Sequence, residues 1–135
     1  MILFPALART QPGSPYNKDF VLPRGFRGIA FRLNITAAGG TTPTLDVKLQ
    51  GYDDAAGAYF DLTETSAAAT VIAFAQKTGA GSDTLAVYPP ALAFAQPATN
   101  KRWGAAIPRK LRVVATYGVD ADETFTWSLA GIPLE

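Results

Sequence analysis

From residue 28 onward, apolar and polar residues alternate with a period of two. "GIAFRLNIT", residues 28 to 36, sets Ile29, Phe31, Leu33 and Ile35 against Ala30, Arg32, Asn34 and Thr36. Successive side chains of a strand point to opposite faces, so this spacing predicts a strand with one face buried. "AAGGTTP" interrupts the pattern, and Leu45, Val47 and Leu49 then alternate with Asp46, Lys48 and Gln50. Asp53 and Asp54 follow between Gly51 and Gly57, before Tyr59, Phe60 and Leu62 restore the apolar content. Asp and Gly suit the backbone angles of turns. Residues 45 to 50 and 58 to 62 are therefore predicted to pair as an antiparallel hairpin, with a loop longer than two residues and the paired carboxylates at its tip.

Residues 63 to 78, "TETSAAATVIAFAQKT", carry Ala, Glu, Gln and Lys that permit a helix, but their Thr, Val and Ile favour a strand. In a strand, Val71, Ala73 and Ala75 alternate with Ile72, Phe74 and Gln76. "TGAGSD" is a glycine-rich turn, and "TLAVYPP" is a strand closed by Pro89-Pro90, which lack the amide proton a ladder needs. A longer excursion over 91 to 107, with Pro97, Asn100 and Gly104, is expected to cross between sheets. "KLRVVATYGV" then places Leu111, Val113 and Ala115 on one side, "DADE" is a charged turn, and "TFTWSLAGI" turns Phe125, Trp127 and Leu129 inward. Roughly seven or eight short strands separated by turns predict an all-β fold, an antiparallel β-sandwich or jelly-roll-like Greek-key domain.

The first 27 residues break this pattern. "TQPGSPYNKDFVLPRG" holds three prolines and no sustained alternation, so residues 1–27 read as an extended N-terminal arm and 28–135 as the sandwich domain. Ile2, Leu3, Phe4 and Leu7 at its head would each cost about 1.5 to 3 kcal/mol if left in water. Two fates satisfy them: a first strand of this domain, or packing on a neighbouring subunit. If the segment is an arm, deleting residues 2 to 20 leaves a folded domain that has lost its partner.

Composition narrows the function. The 135 residues contain neither cysteine nor histidine. No Ser-His-Asp or Cys-His arrangement can be built, no thiolate site is possible, and the residue most used as general base and metal ligand is missing. The opening "MILFPALAR" has no basic n-region and is too short for a signal peptide or a membrane span, so a soluble, non-exported protein with no membrane partner is expected. The net charge of +1 conceals a block pattern. Residues 1 to 33 carry five basic residues against one acidic, 34 to 99 two against six, 100 to 112 five against none, and 113 to 135 none against four. Complementary patches of this kind can orient subunits in an assembly.

Candidate chemistry is sparse. Asp53, Asp54, Asp61 and Glu64 could supply a carboxylate pair for glycoside hydrolysis, but two adjacent acids on an Ala- and Gly-rich turn lack a pocket to raise a pKa. Asp120, Asp122 and Glu123 could hold calcium, yet they lack the EF-hand's glycine and distal glutamate. "GAGSD" has no following Lys-Ser or Lys-Thr and opens a strand, so it is not a phosphate loop. Trp127 and Tyr117 could stack on sugars but sit on strand patterns that bury aromatics. Lys101, Arg102, Arg109, Lys110 and Arg112 with Trp103 form the segment most like a binding surface, and the balancing acidic blocks favour a subunit interface over nucleic acid. No catalytic, cofactor or metal residues are assigned.

The stretches "RGIAFRLNIT", "TPTLDVKLQGYDDAAGAYFDL", "TLAVYPP", "IPRKLRVVATYG" and "TFTWSLAGI" resemble the small all-β virion proteins of tailed bacteriophages, in particular capsid decoration or cement proteins. The resemblance implies a dimer or trimer on the outer face of the capsid, made in the host cytoplasm, that bridges major capsid protein subunits without chemistry. The subunit or capsid contacts expected on this reading are Ile2, Leu3, Phe4, Leu7, Tyr16 and Arg24, with Arg102, Trp103 and Arg109. Tail, head-to-tail connector, and carbohydrate- or receptor-binding proteins are the alternatives.

Overall fold

Nine strands form among the described residues: β1 (Ile2–Thr10), β2 (Tyr16–Val21), β3 (Gly28–Gly39), β4 (Leu45–Asp53), β5 (Ala58–Asp61), β6 (Gly81–Tyr88), β7 (Lys101–Gly104), β8 (Lys110–Tyr117) and β9 (Thr124–Leu134), with one turn of 3-10 helix at Gln11–Gly13. The computed structural model describes residues 1–64, 70–88, 101–104 and 107–134, the backbone alone at Tyr88 and 101–104. Two sheets result, one ordered β1-β9-β3-β6-β7 and the other β2-β8-β4-β5. All pairs are antiparallel except β6 with β7.

The pairings are nested. β4 pairs with β5, β3 with β6, β2 with β8 and β1 with β9, so the chain is one folded ribbon closed at the β4–β5 turn. Curling that ribbon adds the contacts of β3 with β9 and β4 with β8. The resulting strand order is that of two nested Greek keys, as in a jelly roll. At the closed tip, Asp53 Oδ1 accepts hydrogen bonds from the amides of Ala55 (2.9 Å) and Ala56 (3.2 Å), and Gly57 takes φ +66°. The first of the two adjacent acids therefore builds the turn, as an Asp at a turn's first position does.

The predicted alternation holds where both neighbours of a strand are present. Ile29, Phe31, Leu33 and Ile35, then Leu45, Val47 and Leu49, Leu111, Val113 and Ala115, and Phe125, Trp127 and Leu129 are all buried between the sheets. Among the described residues Trp127 is the largest fully buried side chain. The Phe4 ring lies 4.7 Å from it and the Tyr117 hydroxyl accepts its indole N–H at 2.9 Å.

Residues 1–27 are not an arm. Ile2–Thr10 pairs along β9, Tyr16–Val21 pairs along β8, and Leu3, Phe4 and Leu22 are in the core. Of the two fates open to this segment, strand formation within the domain is the one realised. Period-two alternation fails in β1 because register shifts between Ile2 and Phe4 and between Phe4 and Leu7 interrupt the ladder, and a bulge inserts residues that upset the side-chain parity. It fails in β2 because that edge strand turns only Tyr16 and Phe20 toward the core, each half-buried.

The Ala-rich stretch is extended where it is described. Leu45 and Lys77 exchange backbone hydrogen bonds (2.8 and 2.9 Å), and Phe74 donates to the Val47 carbonyl at 2.9 Å. Residues 71–77 thus cover the length of β4 that β5 leaves open, with Ile72 and Phe74 buried. Residues 65–69, Pro89, Pro90 and the excursion's residues 91–100 lie outside the described residues. β7 joins β6 within one sheet and β8 lies in the other, so this change of sheet falls between Gly104 and Lys110.

Strand directions gather the loops at two poles. One pole holds Met1, residues 22–27, the 54–57 tip and residues 107–109. The other holds residues 11–15, 40–44, 78–80 and 118–123.

Candidate functional site

The outer face of the four-stranded sheet carries the densest polar network. Alternation in β8 that buries Leu111 and Val113 turns Lys110 and Arg112 outward, and β4 does the same with Lys48, Gln50 and Tyr52. Arg112 donates to both Asp19 oxygens on β2, at 2.6 and 3.1 Å. Its guanidinium lies 3.7 Å from the Tyr59 ring centroid, and the Lys110 ammonium lies 3.9 Å from that of Tyr52. The two tyrosine rings meet edge to face at 5.1 Å. Lys48 donates to Asp61 at 3.1 Å and Gln50 at 2.8 Å.

The electrostatics follow from these contacts. The hydrogen bond from Arg112 is the main reason the Asp19 carboxyl is held below its usual range, and the same bond raises the Arg112 guanidinium. At Asp61 burial pushes upward, but Gln50 and Lys48 together outweigh it and the carboxyl ends low. Burial first, and then the adjacent Asp19 carboxylate, raise the Tyr59 phenol. Both well-bonded acids on this face are therefore stabilised as anions, the opposite of what a general acid requires. The face is a self-compensated, cross-linked polar surface.

The proposed carboxylate pair does not assemble. Asp53 and Asp54 are exposed at the ribbon tip, Asp61 is ion-paired to Lys48 at 2.9 Å, and Glu64 belongs to the short return that bonds Thr70. At the other pole, Asp122 accepts from the amide and hydroxyl of Thr41 (3.2 and 3.0 Å), Asp120 accepts from the Thr42 hydroxyl at 2.6 Å, and Glu123 accepts from the Thr44 amide at 2.9 Å. Each acid ties the 118–123 loop to the 40–44 loop. Among the described residues, no group of three acids is placed to hold a metal ion. Glu123 is 1% exposed with Oε2 unpartnered; a sequence reading of "DADE" as a solvated turn gives no hint of this, because the burial comes from a loop 80 residues away in the chain.

The expected contact residues separate. Leu3 and Phe4 are core residues, so they are not available to a partner in the folded domain. Ile2 and Leu7, 75% and 57% exposed, are available. Tyr16 is half-buried, with its ring 5.6 Å from Tyr117 and its hydroxyl donating to Thr10. Arg24 and Arg109 are exposed at one pole, where the Leu22 amide bonds the Arg109 carbonyl at 2.8 Å. Arg102 and Trp103 have their backbones in β7 and their side chains outside the described residues. Trp127 and Tyr117 are buried, so neither is a sugar platform.

Three residues were missed. Arg9 is 8% exposed without an acid partner. It donates to the carbonyls of Leu7, Trp127 and Pro5 at 3.2, 3.0 and 2.9 Å and lies 4.6 Å from the Trp127 ring centroid. Burial lowers its pKa, with Tyr117 and Tyr16 acting in the opposite direction. Ile132 and Val119, 55% and 93% exposed, are the other two; the sequence marks Val119 only as the apolar residue inside an acidic turn.

The cavity between the sheets, bounded by Phe31, Val47, Ile72, Phe74, Leu85 and Leu129, has a volume of about 10 Å³, about one water's worth and too apolar to hold it. Among the described residues no helix is long and apolar enough to cross a membrane. Compared with protein-family models, curated proteins and solved structures, the chain matches none. Fold and surface together define an all-β sandwich with a compensated polar face and exposed apolar residues near its poles.

Proposed function

We propose that this protein is a non-enzymatic structural component of a tailed-phage virion, which binds the outside of the capsid as a homo-oligomer and stabilises the shell by bridging major capsid protein subunits. The strand order carries this reading. Nested Greek keys in two facing sheets are an architecture that viral capsid proteins use, and the stretches that resemble decoration proteins fall on β3, β4, β5, β6, β8 and β9 of that order. A rigid sandwich suits a mechanical role: it contributes buried area at each contact, on the order of 1,200 to 2,000 Å² for a stable interface, and needs no pocket. Ile2, Leu7, Arg24 and Arg109 are exposed and available for such contacts.

Purified protein is mixed with undecorated capsids of the same virus, sedimented, and the bound copies are counted by gel densitometry. Binding at a copy number comparable to that of the major capsid protein, with greater resistance of the shell to heat, is the expected result. A few copies at one vertex would assign the protein to the tail or connector class, and no binding would end the capsid reading. One observation favours a second reading. Lectins share this architecture, and Tyr52 and Tyr59 lie on an outer sheet face; saturable glycan binding by calorimetry, lost in Tyr52→Ala, would establish it.

A further inference from the structure

The outer face of the five-stranded sheet holds an apolar patch where β1, β9 and β3 run side by side. Ile2 pairs with Ala130, and Ala130 with Arg32. One step along, Ile132 pairs with Ala30. Residues 30, 32, 130 and 132 share this face, because Ile29, Phe31, Leu33 and Leu129 occupy the inner one. Ile2 and Ile132 are largely exposed. Arg32 flanks the patch and Arg27 stands at its end, its amide bonded to the Leu134 carbonyl. The ion pairs among the described residues are Lys48–Asp61, Lys77–Asp83 and Arg112–Asp19, so neither arginine is neutralised.

The opposite pole presents the complement. Val119, 93% exposed, sits at the tip of the 118–123 loop beside Asp120 and Asp122. The loops around it, 11–15, 40–44 and 118–123, contain no lysine or arginine. Asp120 and Asp122 accept threonine hydrogen bonds, which fix the carboxylates in place and leave their charge.

We propose that the Val119–Asp120–Ala121–Asp122 tip of one copy docks on the Ile2–Ile132 patch of a second copy, with the carboxylates facing Arg27 and Arg32. A molecule cannot make this contact with itself. The tip precedes β9 and the patch lies near its far end, roughly 25 Å away at 3.4 Å per residue. The contact joins two different surfaces, so it is heterologous and produces a ring where the rotation closes or a filament where it does not, but no two-fold dimer. The inference deepens the homo-oligomer part of the proposed function.

The test is sedimentation velocity of the isolated protein at about 10 mM and about 1 M ionic strength, where the screening length falls from about 30 Å to about 3 Å. The expected result is self-association at low salt that weakens at least tenfold at high salt. Asp120→Lys with Asp122→Lys, and separately Arg27→Glu with Arg32→Glu, should each weaken it at least tenfold, and mixing the two variants should restore association, because each then offers the other a complementary surface. Val119→Ser, at a residue that supports nothing in the fold, should weaken it as well, and Ile132→Ser likewise; thermal melts confirm that every variant is folded. A monomer at low salt, an oligomer indifferent to salt and to both reversals, or a mixture that stays dissociated would each overturn the proposal. No capsid enters this experiment, so a monomer that still decorates shells sinks the docking contact alone, and an associating protein that ignores shells sinks the capsid reading alone.

Discussion

Asp19 shows how a single exposed residue ties stability to pH. Its folded-state pKa is depressed, chiefly by the hydrogen bond from Arg112, against roughly 3.9 for an unfolded aspartate. The interaction therefore contributes fully above about pH 4 and is lost as pH falls through the lower folded value. Because the Asp19 side chain is 48% exposed, solvent screening limits the contribution to about 1 kcal/mol or less. Asp19→Asn should be less stable than the parent at pH 6, with the gap closing as the pH falls below about 4 in urea titrations; a gap that stays constant into acid would mean the charge is not its source. The sequence places Asp19 among prolines and polar residues with no sign of a partner, since Arg112 lies 93 positions away.

At the scale of elements, β1 is the instructive case. Its ladder to β9 shifts register twice, and Arg9 straps the irregular stretch by donating to the carbonyls of Pro5, Leu7 and Trp127. Buried carbonyls left without donors cost on the order of 1 to 3 kcal/mol each. Arg9→Leu should accordingly destabilise the domain by about 2 to 4 kcal/mol, allowing for partial access of water to two of the three. Arg9→Lys should recover part of that, because an ammonium cannot reproduce the planar fork of donors. Urea midpoints for the two variants check both, and an Arg9→Leu protein as stable as the parent would mean that the bulges hold without the strap. The strands with regular parity, β3, β4, β8 and β9, were legible from alternation alone. β1 and β2 were not, because bulges and an edge position remove the period-two signal on which that reading depends.

For the whole molecule, the nested pairing makes the chain's first 21 residues part of the sandwich, as an edge strand of each sheet. Deleting residues 2 to 20 would remove Leu3, Phe4 and Arg9 from around Trp127 and strip one neighbour from each of β9 and β8. A truncated protein that still unfolds cooperatively by circular dichroism would contradict this; the expected outcome is loss of the cooperative transition, the reverse of what an arm implies. The block pattern of charge survives folding only in part: the 118–123 loop keeps its acids together at one pole, whereas at the other Arg24, Arg27 and Arg109 are joined by Asp53 and Asp54 of the acidic block.

The amino-acid sequence by itself determined the all-β class, the hairpin at the ribbon tip and the inward faces of four strands, because these depend on local parity and turn chemistry. It also determined that cysteine and histidine chemistry is impossible. Only the tertiary structure decided that the N-terminal segment is two strands, that Glu123 and Arg9 are buried, and which charges meet across the outer face. Apart from the Lys48–Asp61 pair, these depend on contacts between residues some 80 to 130 positions apart, and no local pattern encodes which distant strand will lie alongside.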